Sequence, residues 1–125
     1  GGQRIDKHYA DWLHIWNELT QTAGHWEGYK MMVGGGVKDT NNKKTLFIPL
    51  QFWFCRNPGL ALPLIALQYH EVKINLEFGD LSSVFGVTAT NSIDSAALYV
   101  DYIYLDTDER RRFAQVSHEY LVEQL

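Results

Sequence analysis

Five histidines are the residues of this chain best suited to bind a metal ion. They are His8, His14, His25, His70 and His118. No two of them have the H-x-H or H-E-x-x-H spacing that brings two imidazoles onto one metal, and the single cysteine excludes a cysteine pair. His8 and His14 are six residues apart, which is the wrong spacing for one helix face. The sequence therefore predicts no metal, no cofactor and no catalytic residue.

A second candidate ligand set is Asp106-Thr107-Asp108, which matches the D-x-D pattern of metal and nucleotide-sugar sites. Helix capping explains the same residues, because Asp106 or Thr107 can accept a hydrogen bond at a helix N-terminus. Asp108 and Glu109 would then lie in the first turn, where negative charge is favourable. The arginines at 110–112 follow these acids directly, which favours a solvated helix face or salt bridges over nucleic-acid binding.

Two more residues stand out because their sequence neighbours are apolar. Cys55 has no base beside it, so we expect a buried, unreactive thiol. Asp101 lies in an otherwise apolar and aromatic segment, where an unpaired buried carboxylate would be costly. Either the face that carries Asp101 is solvated or the carboxylate is paired, and Arg56 is a conceivable partner.

The elements that would position these residues are centred on the apolar stretch at 45–78. Apolar side chains alternate with a period of two near 45–54, near 71–78 and near 97–106, which predicts three antiparallel strands. The first of these segments is apolar on both faces, so other protein must cover its second face. One core is expected to bury the shared face, which carries Leu46, Ile48, Leu50, Phe52, Val72, Ile74, Leu76 and Phe78.

Upstream of this stretch, the sequence predicts a helix. Asp6 can cap it, and it would end near Thr20. Its apolar residues recur every three or four positions, and they are Tyr9, Trp12, Leu13, Ile15, Trp16 and Leu19. We therefore expect Trp12 and Trp16 to lie against protein. The glycines at 34–36 lack the Lys-Ser/Thr of a phosphate loop and predict a plain loop.

The composition limits the classes of protein to which the chain could belong. The chain has 125 residues, of which 46% are hydrophobic and 21% charged, so it can form one domain with a modest core. Its net charge of −4 argues against nucleic acid as a direct partner. No apolar run approaches the roughly 20 residues of a membrane span, and one cysteine suggests synthesis in a reducing compartment.

Three strands are too few for a closed sandwich, so we expect the chain to be stable only within a larger protein.

Three long blocks of the sequence carry a family resemblance. They are GGQRIDKHYADWLHIWNELT at 1–20, FWFCRNPGLALPLIALQYHEVKI at 52–74 and LYVDYIYLDTDERRRFAQ at 98–115. In this order they resemble the major capsid protein of nucleocytoplasmic large and giant DNA viruses. The resemblance implies an all-β fold with short helical insertions, an antiparallel jelly-roll sandwich that occurs twice in the family. This chain would be a partial jelly roll from the later part of the first copy.

The resemblance also implies a domain organisation and a function. Residues 1–106 would hold the end of one strand, a helix-containing loop at 6–44 and the three predicted strands, and 107–125 would be a short helix and linker toward a second jelly roll. The implied function is structural: homotrimers form pseudo-hexagonal capsomers of an icosahedral virion shell. The implied partners are neighbouring capsomers and minor capsid proteins beneath the shell, after synthesis in the host cytoplasm.

Two other classes of protein compete with this interpretation. A lectin-like β-sandwich that binds carbohydrate could use Trp12, Trp16, Trp26 and Trp53 as stacking platforms. The helical spacing of the first two favours a core role for them instead. A cupin-like metalloenzyme is disfavoured because its histidine ligand pair is missing from the sequence.

Overall fold

A computed structural model describes residues 2–35, 43–80 and 92–125. The chain divides into two compact units. One comprises Gly1–Leu62 together with Glu119–Leu125, and we call it the terminal unit. The other comprises Pro63–His118, and we call it the inserted unit. Of the glycine loop predicted at 34–36, position 36 lies outside the described residues, as do positions 81–91 farther along the chain.

Two helices form the N-terminal part of the terminal unit: α1, Ala10–Thr20, and α2, Trp26–Met32. The predicted end of the first helix at Thr20 is confirmed, but its predicted cap is wrong. Tyr9, in an extended conformation, precedes α1 and makes no side-chain capping bond. The Asp6 carboxylate is engaged elsewhere, because it pairs with the His8 ring and accepts a hydrogen bond from the Lys7 amide. The helix therefore begins three residues later than a cap at Asp6 would place it.

The third helix, α3, spans Thr107–Gln115 in the inserted unit, and the capping interpretation of Asp106 is confirmed. Asp106 Oδ1 accepts a hydrogen bond from the Glu109 amide at 2.9 Å. Asp108 and Glu109 occupy the first turn, where they face the positive end of the helix dipole. Arg112 approaches Glu109 at 3.5 Å, and the arginines at 110–112 are exposed. Of the D-x-D residues, Asp106 therefore caps α3 and Asp108 lies in its first turn.

The predicted fold class, an all-β jelly-roll sandwich, is wrong for the part of the chain that the structure describes. None of the ranges 45–54, 71–78 and 97–106 contains a strand. Residues Trp53–Cys55 and Pro58–Leu60 form short 3₁₀ turns instead. A strand exists only when its backbone groups pair with a neighbour, and alternation of side chains does not supply that neighbour.

Local chemistry contributes to this correction in the first predicted strand. Pro49 lacks an amide hydrogen and cannot donate to a ladder. The Phe47 amide donates to the Met32 carbonyl at the end of α2, at 2.9 Å. The chain then turns where the Cys55 amide donates to the Phe52 carbonyl at 2.9 Å. These backbone groups are used by turns and helix ends rather than by a sheet.

Burial is centred on Trp53, which is 8% exposed and is the buried hydrophobic residue among those described. Its ring lies 5.5 Å from that of Phe54 and 5.9 Å from that of Tyr120. Among the residues assigned to a core from sequence, Leu50 and Phe52 are half-buried. The others are 38–58% exposed: Leu46, Ile48, Val72, Ile74, Leu76 and Phe78. Their role in a core or in assembly stays a prediction.

The capping bond of α3 predicts a measurable loss of stability. Asp106→Ala removes the acceptor for the Glu109 amide and should lower the free energy of unfolding by about 1 kcal/mol. Asp108→Ala is the matched control, because it removes a charge from the same turn but no capping bond. Urea unfolding of the complete protein measures both, and an equal loss in the two variants would contradict the capping role.

The burial of Trp53 predicts a larger effect. Trp53→Ala should lower the free energy of unfolding by about 3–5 kcal/mol, because it leaves a cavity against Tyr120 and Phe54. Trp26→Ala, at a position that is 40% exposed, is the control and should cost clearly less. Thermal and urea denaturation of the complete protein would test the difference. Two variants of equal stability would show that Trp53 does not anchor the unit.

Candidate assembly surface

The histidines are engaged in separate local contacts. His8 pairs with Asp6, His25 with Thr22, His14 with Glu18, and His118 with the Phe113 carbonyl. His70 is exposed. Within the ranges 2–35, 43–80 and 92–125, no group of three or more histidine, cysteine, aspartate or glutamate side chains is arranged to hold a metal ion.

An aromatic cluster of the terminal unit surrounds His8. The His8 ring stacks on Phe52 with centroids 4.3 Å apart, and it meets the edge of Trp12 at 6.2 Å. Trp12 lies 5.7 Å from Trp16, and Phe52 stacks on Phe54 at 5.4 Å. Trp12 and Trp16 are half-buried in this cluster. The structure therefore brings the two tryptophans of α1 together with Phe52 and Phe54 of the apolar stretch.

The hydrogen-bonded pair His8–Asp6 within this cluster is almost enclosed. His8 Nε2 lies 3.0 Å from Asp6 Oδ2, and the two side chains are only 9% and 6% exposed. The second ring nitrogen of His8 and the indole nitrogen of Trp12 are buried, with no hydrogen-bond partner among the described residues. Such groups carry a desolvation cost, so the aromatic packing around them must offset it.

Arg56 connects the cluster to the end of the chain. Its guanidinium lies 3.8 Å from the centroid of the Trp16 ring and donates to the Gln51 carbonyl at 3.3 Å. It also donates to the Glu123 carboxylate, 67 positions away in sequence. Asp101, suggested above as a conceivable partner, is exposed, which fits the alternative of a solvated face.

The segment Glu119–Leu125 makes further contacts with the N-terminal residues. The Tyr120 ring packs on Trp53, and the Gln124 amide donates to the Ile5 carbonyl. The Leu125 amide approaches Asp6 Oδ1 at 3.3 Å. Sequence reasoning missed this docking because nothing in residues 119–125 signals a partner more than a hundred positions away.

The exposure of Cys55 differs from the prediction of a buried thiol. The residue is exposed rather than buried. Partial desolvation nevertheless raises the pKa of the thiol, and this outweighs the backbone hydrogen bond at Phe52 and the charge of Arg56, which both lower it. A raised pKa keeps the thiol protonated near neutral pH, which disfavours nucleophilic chemistry.

The inserted unit presents a long exposed apolar segment at 98–105, which we call the aromatic-rich segment. Its exposed large side chains are Leu98, Tyr99, Val100, Tyr102, Ile103, Tyr104 and Leu105. Tyr99 is 87% and Tyr104 is 91% exposed. Contiguous exposed apolar surface is typical of a face that contacts other protein. Among the described helices, none has the length and apolarity to cross a membrane.

Comparison with known proteins identifies the family that the chain resembles. A family model described as "Major capsid protein N-terminus" matches residues 1–106. The major capsid protein of Pyramimonas orientalis virus is 78% identical over 132 residues, covering 100% of this chain and 33% of that protein. That of Phaeocystis pouchetii virus is 47% identical over 166 residues, covering 100% of this chain and 32% of that protein.

A third relative is the major capsid protein of Paramecium bursaria Chlorella virus 1, 48% identical over 133 residues, covering 100% of this chain and 30% of that protein. The chain thus spans about a third of the length of these curated relatives. No solved structure matches it. The resemblance drawn from the three sequence blocks is confirmed, and the chain belongs to the major capsid protein family of large and giant DNA viruses.

Proposed function

We propose that this chain is part of a shell-forming subunit that assembles as a homotrimer, giving pseudo-hexagonal capsomers of an icosahedral virion. Membership of the major capsid protein family supports a structural, non-enzymatic role. The exposed apolar surface of the described residues supports association as the mechanism. The partners would be other copies of the subunit, neighbouring capsomers and minor capsid proteins beneath the shell.

The composition of the exposed surface fits protein–protein contact. The aromatic-rich segment supplies tyrosines, which are enriched at interface cores, while lysine and glutamate are depleted there. Between Leu98 and Leu105 the only charged residue is Asp101. Leaving these side chains in water forgoes the free energy that their burial would supply, about 25 cal/mol per Å² of apolar surface. Other parts of the subunit and neighbouring copies are the available cover.

The residues assigned from sequence to core or assembly keep both roles in this proposal. Trp12, Trp16 and Phe52 already contact protein within the terminal unit. The exposed members at 46–48 and 72–78 would be covered by the rest of the subunit or by a second copy. Residues 107–125, which lie beyond the matched family model, would connect residues 1–106 to the remainder of the subunit. Synthesis in the host cytoplasm is part of the same proposal.

The proposal predicts a difference between the chain and the complete protein. Residues 1–125 expressed alone should be insoluble or molten, because their exposed apolar side chains have no cover. The complete protein should form trimers, as measured by size-exclusion chromatography with light scattering. A soluble, cooperatively unfolding monomer made from residues 1–125, or a complete protein that stays monomeric at capsid-like concentration, would overturn it.

A variant in the aromatic-rich segment tests the assembly surface. Tyr104→Asp should weaken trimer formation about tenfold or more, because buried tyrosines are frequent hot spots of interfaces. Tyr69→Asp is the matched control, with the same residue type and an exposure of 88% against 91% for Tyr104. Trimer dissociation on dilution and thermal unfolding measure the two effects separately. Equal trimer stability in both variants, or loss of the folded subunit itself, would contradict an assembly role for Tyr104.

A further inference from the structure

Helix α1 has a second apolar face, which is exposed in the terminal unit. Trp12 and Trp16 are half-buried in the aromatic cluster, whereas Ile15 and Leu19 are 48% and 75% exposed. The last two lie four residues apart, so they are neighbours on one face of the helix. Apolar side chains of this size gain free energy when other protein covers them. The exposed face of α1 is therefore a candidate contact surface.

Acidic side chains border this apolar face. Asp11 lies one turn before Ile15, and Glu18 directly precedes Leu19, so both carboxylates belong to the exposed side of α1. The His14 ring approaches Glu18 at 3.8 Å, but both of these side chains are more than half exposed. Asp11 has no ion-pair partner among the described residues. A partner suited to this face would carry positive charge next to small or apolar side chains.

Helix α3 has a face with that chemistry. Arg110 and Arg111 are exposed, and neither has an ion-pair partner within the part of the chain that the structure describes. Arg112 differs from them, because it approaches Glu109 at 3.5 Å. Ala114 is exposed and lies four residues after Arg110 and three after Arg111, so these three residues share one face of α3. The methylene stems of the arginines add apolar surface beneath their charged groups.

The charge around these arginines narrows the choice of partner. Residues 63–118 contain eight acidic and four basic side chains, and three of the four bases are the arginines at 110–112. An extended polyanion such as nucleic acid or an anionic membrane would be repelled by the surrounding acids. Two unpaired arginines can still pair with a small acidic patch on a protein. The exposed face of α1 is such a patch on the same chain.

A trimer requires two different faces that recognise each other. In a ring of three copies, a surface on one copy meets a different surface on the next copy. An acidic face and a basic face on one chain suit this arrangement, because each attracts the other and repels its own kind. The aromatic-rich segment at 98–105 is followed almost directly by α3, which begins at Thr107. A neighbouring copy that covers the segment would therefore lie near α3.

We propose that the exposed face of α1 in one copy contacts the arginine-bearing face of α3 in the next copy. Ile15 and Leu19 pack on Ala114 and on the stems of the two unpaired arginines. Asp11 and Glu18 pair with the guanidinium groups of the same arginines. The partner is a second copy of this chain, and the contact rests on the proposed trimer.

Charge reversal in the complete protein tests this contact. Arg110→Glu combined with Arg111→Glu should weaken trimer formation about tenfold or more, because like charges then face each other. Asp11→Lys combined with Glu18→Lys should have the same effect. A protein that carries all four substitutions should form trimers again, since opposite charges meet once more. Light scattering over a dilution series measures the trimers, and failure of the fourfold variant to recover them would contradict the pairing.

A single substitution elsewhere controls for the change in net charge. Arg111→Glu and Lys73→Glu change the charge equally, and Lys73 lies outside α3 with a side chain that is 70% exposed. Arg111→Glu should weaken the trimer and Lys73→Glu should not. Thermal unfolding measures the stability of the subunit separately. Loss of trimers with an equal loss of subunit stability would show that these charges stabilise the subunit itself, and would overturn a contact between copies.

Leu19→Ala tests the apolar part of the contact. It should weaken trimer formation about tenfold, the effect of removing buried methylene groups, with little change in subunit unfolding because Leu19 is mostly exposed. Met31→Ala is the control, at an apolar position of the terminal unit that is 67% exposed. Equal trimer affinity in the two variants would contradict packing on Leu19.

The unsubstituted protein distinguishes failure of this contact from failure of the trimer. If it stays monomeric, the proposed trimer and this contact are overturned together. If it forms trimers and the charge-reversed variants form them equally well, this contact alone is overturned. Vesicles of phosphatidylcholine and phosphatidylglycerol provide a further probe. Vesicle binding that is lost in the Arg110→Glu and Arg111→Glu variant, without loss of trimers, would assign the arginines to a membrane surface and overturn the contact.

Discussion

The guanidinium of Arg56 joins three parts of the terminal unit: α1, the part of the apolar stretch at 51–56 and the segment Glu119–Leu125. It lies 3.8 Å from the centroid of the Trp16 ring and forms an ion pair with Glu123. The Glu123 side chain is 63% exposed, and ion pairs in such positions contribute about 0–1 kcal/mol. A partly desolvated guanidinium over an indole contributes about 0.5–2 kcal/mol. Lysine could not replace it, because the contact depends on a planar group that stacks and donates in fixed directions.

The contact at Arg56 and the burial of Trp53 depend on each other. Tyr120, which packs on Trp53, and Glu123, which pairs with Arg56, lie on the same short segment. When either residue is in contact with its partner, the other lies near its own partner. The conformational entropy of the segment is therefore lost once for two contacts. The matched family model ends at residue 106. The terminal unit nevertheless includes Glu119–Leu125, so the packed unit extends beyond the region by which the family is recognised.

Some local interactions were predictable from the sequence, although the predicted Asp6 cap was wrong, and the long-range ones were not predictable. Asp106 caps α3 through an amide three positions away, so the sequence alone contains both partners. The end of α1 at Thr20 was predictable because the apolar three- and four-residue spacing stops there. The absence of strands in 45–54, 71–78 and 97–106 was not predictable, because a strand depends on partners that side-chain alternation does not identify. Arg56 and Glu123 are 67 positions apart, and no pattern connects them.

The exposure of the aromatic-rich segment bears on how the protein gains stability. Tyr99 and Tyr104 are both almost fully exposed. Burying them would take cover from the rest of the subunit, from another copy, or from both. In a symmetric assembly each such contact is repeated in every copy, so modest contacts add up over the shell. Under the proposed assembly, apolar surface that contributes little to the folding of this chain would supply free energy for association, which is the property a capsid subunit requires.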